Sequence, residues 1–238
     1  MIWLGLDTSN LPLSAAVVRD GELLAELNLA VGLNHSVGAM PAVKEMLDRA
    51  GLVPSDLDAI AVAEGPGSYT GVRIGVTIAK TLAWTLGKPL TGVSSLRVLA
   101  ANVFTPGVII CPLIDARRGN VFAGLYKRTD EGKLEELERD RHLSFADLLV
   151  RLGEEEARVV FVGPGAGIHW GAAKESLGDR AVRSHGAQDV PRASLLIEEA
   201  ERLAPVSDLH AFTPEYRRLP EAEVNWRKAR GEAHEDGE

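Results

Sequence analysis

The sequence predicts an α/β protein made of two similar halves, and three observations carry that expectation. Each half opens on three short strand-like segments, each then changes to apolar spacings of three and four, and 238 residues suffice for two lobes. Apolar residues at 45% with 25% charged residues describe a folded globular chain and exclude wholesale disorder.

In the first half, strands are expected at Ile2 to Asp7, Leu13 to Arg19 and Glu22 to Val31, with Asp20-Gly21 as the tight hairpin turn. From Ser36 to Ala50 the apolar residues Val37, Met40, Val43, Leu47 and Ala50 recur at helical spacing. Ser36 is the expected cap and Gly51 the stop, and Pro41 bends the first turns because it lacks a donor. A strand at Ala59 to Ala63, a helix from Gly71 to Leu86 closed by Gly87, a short strand near Leu90 to Val93 and a helix from Ser95 follow.

The second half repeats that order. Strands at Val108 to Ile114, Asn120 to Lys127 and Lys133 to Arg141 precede a helix from Ser144 to Leu152. A strand at Val159 to Val162, a helix after Gly167, a strand at Ala181 to Ser184 and a helix from Arg192 to Leu203 complete it. Two β-β-β-α-β-α-β-α units are a structural duplication, although no residue-by-residue repeat joins them. That order describes the two-lobed fold of actin, the seventy-kilodalton heat-shock chaperones and the sugar kinases, the ASKHA fold, and by itself says nothing of activity. The expected division is a first lobe at 1–104, a second at 105–206, and a segment 207–238 that returns to the first lobe and ends in a disordered tail.

A net charge of −8 argues against a large nucleic-acid footprint of the chain's own. The basic points Arg117-Arg118 and Lys127-Arg128, with the mixed-sign tail Arg227 to Glu238, read as solvated surface. No membrane-spanning or secretory segment is visible, so a cytoplasmic protein without membrane contact is expected. The single Cys111 lies in an apolar run and reads as a buried, inert thiol. The histidines include no pair at three- or four-residue spacing and no Gly-x-Ser-x-Gly elbow occurs, so no metal ligands and no catalytic residues are assigned.

Loop chemistry gives two further expectations. The turns Asp7-Thr8-Ser9-Asn10 and Asp115-Ala116-Arg117-Arg118-Gly119 stand where this fold grips a nucleotide, but Arg117 and Arg118 replace the small residues that a phosphate needs. The run Gly163-Pro164-Gly165-Ala166-Gly167 is glycine-rich yet holds a proline with no N–H. Asp7, Thr8, Ser9, Asp115, Arg118, Gly163 and Gly165 are therefore read as vestigial nucleotide-loop positions, and no cofactor is expected in the isolated chain.

The helix from Gly71 carries Gly71, Gly75, Ala79 and Ala83 as a stripe of small residues, with Val72, Val76, Ile78, Leu82 and Leu86 beside it. Apolar surface covers about two-thirds of this helix, wider than the roughly 100° stripe of a one-sided helix. A second packing surface follows, supplied either by a partner or by the same chain.

These residues resemble the TsaB (YeaZ) family, the dimerisation subunit of the bacterial machinery for N6-threonylcarbamoyladenosine in tRNA. The likeness runs through Leu6-Asp7-Thr8-Ser9, Asn34-His35-Ser36, Gly65 to Thr77, Ala79 to Trp84, Gly92 to Leu96, Ile114 to Gly119, Pro214 to Leu219 and Glu221-Ala222-Glu223. It implies a non-catalytic subunit that dimerises with and stabilises its paralogue TsaD, joined by the ATPase TsaE on the assembled complex, with homodimers when alone. ATP and metal would belong to those partners, and tRNA would be met only through the complex. TsaD holds its metal with a His-x-x-x-His pair, whereas here Ala39 follows His35 at four residues. The implied interface is His35, Met40, Val43, Leu47, Gly71, Arg73, Ile74, Gly75, Ile78, Ala79, Leu82 and Ala83. A stand-alone ATP-dependent kinase or metallopeptidase of the same fold is the alternative.

Overall fold

The computed structural model describes residues 1–29 and 35–216, with the backbone alone at His35. The end of the expected third strand, Asn34, the motif residues beyond Tyr216 and the expected tail lie outside the described residues.

The first half runs β1 (Ile2–Asp7), β2 (Leu13–Arg19), β3 (Glu22–Leu29), α1 (His35–Ala50), β4 (Ala59–Gly65), α2 (Tyr69–Leu86), β5 (Leu90–Ser94) and α3 (Ser95–Ala101). The second runs β6 (Ile109–Asp115), β7 (Asn120–Arg128), β8 (Leu134–Ser144), α4 (Phe145–Gly153), β9 (Val159–Val162), α5 (Pro164–Leu177), β10 (Ala181–Arg183) and α6 (Ala193–Ala200). Each half builds one mixed five-stranded sheet, ordered β3-β2-β1-β4-β5 and β8-β7-β6-β9-β10. The opening strand is central in both, antiparallel to its hairpin partner and parallel to the crossover strand. The fold is the duplicated two-lobed ASKHA arrangement that the element order predicts.

Local chemistry explains the punctuation. Asp20 and Gly21 take φ of 49° and 80°, the two positive values that a tight hairpin turn requires. Helices α1 and α2 both end on a left-handed glycine, Gly51 and Gly87. The next residue donates back across the last turn, Leu52 N–H to the Leu47 carbonyl and Lys88 N–H to the Ala83 carbonyl, each at 2.9 Å.

Alternation along the strands sends side chains to two faces of each sheet. On the first sheet, Leu4, Leu6, Leu13 and Ala15 pack under α1 with Val43, Met46 and Leu47, while Trp3, Ala16, Ala59 and Ala61 face α6. On the second sheet, Cys111, Leu113 and Phe161 face α4 and α5, whereas Ile110, Ile114, Phe122 and Tyr126 face α3. The last helix of each half thus reaches the sheet of the other, Val98 of α3 also touching the first sheet's core. Within α6, Ala193, Leu196, Ile197 and Ala200 pack with the core of the first sheet, while Leu195 packs with Val108, Ile110 and Tyr126 of the second half.

Several boundaries differ from expectation. Helix α1 begins at His35, so Ser36 lies within its first turn rather than capping it. Helix α2 begins at Tyr69 under a Ser68 cap, two residues before Gly71. Helix α5 starts at Pro164 and so takes in the glycine-rich run. Proline suits a first helical position, where its missing N–H would have no partner in any case.

Candidate functional site

Two concave surfaces meet at the start of α2. Ser68 holds an extended conformation and its Oγ accepts the Gly71 N–H at 3.3 Å, which fixes the direction of the helix. The exposed residues Tyr69 and Thr70 come next, and both line both surfaces.

The first surface is a groove of about 430 Å³ between α1 and α2. Met40 stands on the α1 side, while Ile74 and Ile78, one turn apart, form the α2 side with Arg73 and Thr77 at the rim. Met40 is 45% exposed, and Val37, one turn earlier on α1, is 69% exposed. The Arg73 guanidinium lies 5.1 Å from the centre of the Tyr69 ring, and its Nη1 donates to the Tyr69 hydroxyl at 3.0 Å.

The small-residue stripe faces the other way. A methyl group at Gly71 would stand 2.2 Å from the Thr8 carbonyl oxygen, and one at Gly75 would stand 2.5 Å from Thr8 Oγ1. Ala79 and Ala83 are buried against Ile60, Val62 and Leu90, with Val206, Leu209 and Phe212 of the C-terminal segment packed alongside. Val43 and Leu47 lie inside the first sheet's core. Of the expected interface residues, Met40, Arg73, Ile74 and Ile78 open onto the groove, while Val43, Leu47, Gly71, Gly75, Ala79 and Ala83 are covered by their own lobe. Leu82 is half-buried against the same cores, and the His35 side chain is outside the described residues. The over-wide apolar face is thus shared among the sheet, the returning C-terminal segment and a narrow open strip.

The second surface is a cleft of about 610 Å³ between the strand ends of the two sheets. Asp115 and Arg117 line it from β6 and its turn, Asn10 and Ser68 from the first lobe, and Glu215 and Tyr216 from the C-terminal segment. The other positions expected as nucleotide-loop remnants, Asp7, Thr8, Ser9, Arg118, Gly163 and Gly165, are not among the residues that line it. Asp7 is buried and accepts from the Ser9 amide at 2.8 Å and the Ser9 hydroxyl at 2.7 Å, while Thr8 Oγ1 donates to the Gly71 carbonyl at 2.7 Å. Arg117 and Arg118 hold φ of 66° and 55°, an unfavourable region for residues with a Cβ, in a turn closed by the Asn120 N–H on the Arg117 carbonyl. Gly165 is small because a Cβ there would meet the Leu113 carbonyl oxygen at 2.9 Å.

Several amides near the cleft are engaged within the chain. The amides of Ser68, Gly71 and Val72 donate to Ser9 O, Ser68 Oγ and Ser68 O, and those of Gly163 and Ala166 to Asp189 Oδ1 and Gly163 O. Among the described residues no group of three His, Cys, Asp or Glu side chains could hold a metal ion, and no helix is long and apolar enough to cross a membrane.

Two features lie beyond the sequence reading. His169, from the second turn of α5, places Nε2 3.0 Å from Asp115 Oδ1 and stacks on Phe145 at 4.5 Å, a pairing that only the tertiary fold reveals. Tyr216 stacks on Tyr69 with ring centres 4.9 Å apart, and burial raises its pKa while the nearby Arg73 charge opposes the rise.

Comparison with known proteins follows the same lines. The family described as "TsaD: tRNA N6-adenosine threonylcarbamoyltransferase" matches residues 30–226. The chain is 44% identical over 229 residues to the tRNA threonylcarbamoyladenosine biosynthesis protein TsaB of Bacillus subtilis, covering 95% of this chain and 98% of that one. The chain belongs to the TsaB family. It shares 35% identity over 131 residues with the Escherichia coli TsaB, covering 54% of this chain and 56% of that one. The structure of YeaZ from Pseudomonas aeruginosa superposes with a TM-score of 0.75 at 27% identity, covering 90% of this chain and 99% of that one. The TsaB likeness therefore extends over both sheets, and the TsaD match places the chain in the wider family that includes the transferase.

Proposed function

We propose that this chain serves tRNA threonylcarbamoyladenosine biosynthesis as a non-catalytic subunit that docks the transferase TsaD on the groove between α1 and α2 and stabilises it. The observation that carries this reading is the open apolar floor of Met40, Ile74 and Ile78, rimmed by Tyr69 and Arg73, beside helix faces that the first sheet and the C-terminal segment cover. An aromatic and an arginine around an apolar centre is the composition of a protein-binding hot spot.

In this reading TsaE joins the assembled pair, the isolated chain forms homodimers through the same groove, and tRNA is met only within the complex, in the cytoplasm. Nucleotide and metal chemistry belongs to the partners. The amides of Ser68, Gly71, Val72, Gly163 and Ala166 bond within the chain, which counts against their cradling a phosphate in a stand-alone kinase. Mixing the purified chain with TsaD from the same cell and measuring mass by light scattering tests the proposal. A complex is expected for the wild type and its loss for Met40→Glu; a complex unaffected by that substitution would move the docking site elsewhere, and no complex at all would end the reading.

A further inference from the structure

The C-terminal segment from Val206 to Tyr216 is fastened to the first lobe at four points. The Val206 N–H donates to the Leu90 carbonyl at 2.8 Å, and the Glu215 N–H donates to the Glu64 carbonyl at 2.7 Å. Between them, Lys80 Nζ donates to the carbonyls of His210 and Phe212 at 3.0 and 2.6 Å. The Glu64 carboxylate and the Phe212 ring together fill the space that a side chain at residue 92 would otherwise occupy, a Cβ on Gly92 meeting the ring at 2.8 Å. Val206, Leu209 and Phe212 pack against the Val72, Val76, Ala79 and Ala83 side of α2.

This strap reaches the groove at Tyr216. Beyond Glu215 the Tyr216 ring lies on the Tyr69 ring, and Tyr69 lines the groove while the Arg73 guanidinium lies over it. Tyr69 is 47% exposed, so Tyr216 and Arg73 are the two groups seen to fix the direction of its ring. A ring released from one of them has other staggered rotamers open to it, and a groove wall that samples several positions binds more weakly, by the fraction of time it is correctly placed.

We propose that the strap sets the shape of the partner groove, with Tyr216 acting as a positioning residue through Tyr69 and Arg73. The inference rests on the docking role of the groove and adds a determinant that lies outside it. Its consequence is that docking strength depends on a segment more than a hundred residues away in sequence, on the opposite side of α2.

Tyr216→Ala and Tyr216→Phe separate the ring from the hydroxyl, and two readouts separate this inference from the docking role. In the free chain, methyl resonances of Ile74 and Ile78 are expected to shift and broaden in Y216A and to keep their wild-type positions in Y216F. With TsaD, Y216A is expected to bind about three- to tenfold more weakly, the ratio that an aromatic pair of ordinary strength supports, and Y216F to bind as the wild type does. Unchanged methyl resonances in Y216A would overturn the inference whatever the partner does. Unchanged TsaD affinity in Y216A beside a Met40→Glu variant that fails to bind would overturn it while leaving the docking role intact. Shifted methyls in a chain that binds no TsaD would keep the strap as a determinant of groove shape and end the docking role.

Discussion

Arg97 of α3 donates from Nε to the Glu199 carboxylate of α6 at 2.6 Å, and that carboxylate is 1% exposed. The same guanidinium donates from Nη2 to the Leu134 carbonyl of β8, so one side chain joins the helices between the sheets to the edge of the second sheet. Arg202 also reaches Glu199, at 2.6 Å.

Removing Arg97 leaves a buried carboxylate with one partner in place of two and strands a carbonyl. Arg97→Ala is expected to lower stability by about 3 kcal/mol, the lower end for a broken buried pair because Arg202 remains. Urea unfolding of the two proteins measures it, and a loss under about 1 kcal/mol would mean that water replaces the guanidinium freely.

Glu26 of β3 gives a pH dependence. Its carboxylate accepts from the Ser194 amide and hydroxyl at 3.0 and 2.6 Å and from Arg192, at the opening turn of α6. Burial alone would raise its pKa, but these hydrogen bonds and the arginine charge outweigh burial and hold it below the ordinary glutamate value. A carboxyl depressed in the folded state adds stability that is full above the unfolded value of about 4.3 and is lost as the pH falls through the folded one. Glu26→Gln should therefore be less stable than the wild type near pH 7, and the difference should shrink below about pH 4; melting temperatures across that range decide it.

Helix α2 offers a contrast between its inward and outward faces. Ala79 is 1% exposed, so Ala79→Glu buries a charge with no partner and is expected to cost more than about 3 kcal/mol. Met40→Glu lies on the open groove and should change the melting temperature by only a few degrees while removing partner binding. Thermal melts beside binding curves distinguish the two, and equal melting temperatures would place Ala79 on the wrong face.

Burial drives the Cys111 thiol strongly upward from its ordinary value, with the Glu138 charge adding to the rise. The thiolate is the reactive form, so native protein is expected to resist a thiol-specific reagent near neutral pH and to label after unfolding. Rapid labelling of the native chain would show that β6 opens locally.

Much of this fold is legible in the residues, for local reasons. Asp20-Gly21, Gly51 and Gly87 mark turns and stops through φ values that few other residues accept, and the exchange of alternation for helical spacing marks each element. The direction of the α2 faces is not legible in this way. Gly71, Gly75, Ala79 and Ala83 announce a close approach, but spacing cannot say whether the approaching group is Thr8 and Phe212 of the same chain or another protein. The cleft shows the same limit. Asp115 stands out as a strand-end acid, whereas its pairing with His169 and the stack of Tyr216 on Tyr69 join residues far apart in sequence.

The exchange of α3 and α6 between the halves bears on how such a chain can be divided. A gene cut near residue 104 would give one product whose first sheet lacks the cover of Ala193, Leu196 and Ile197, and another whose second sheet lacks that of Leu96, Leu99 and Ala100. Each piece alone would leave apolar sheet surface without its cover, because the two halves exchange a helix across their boundary.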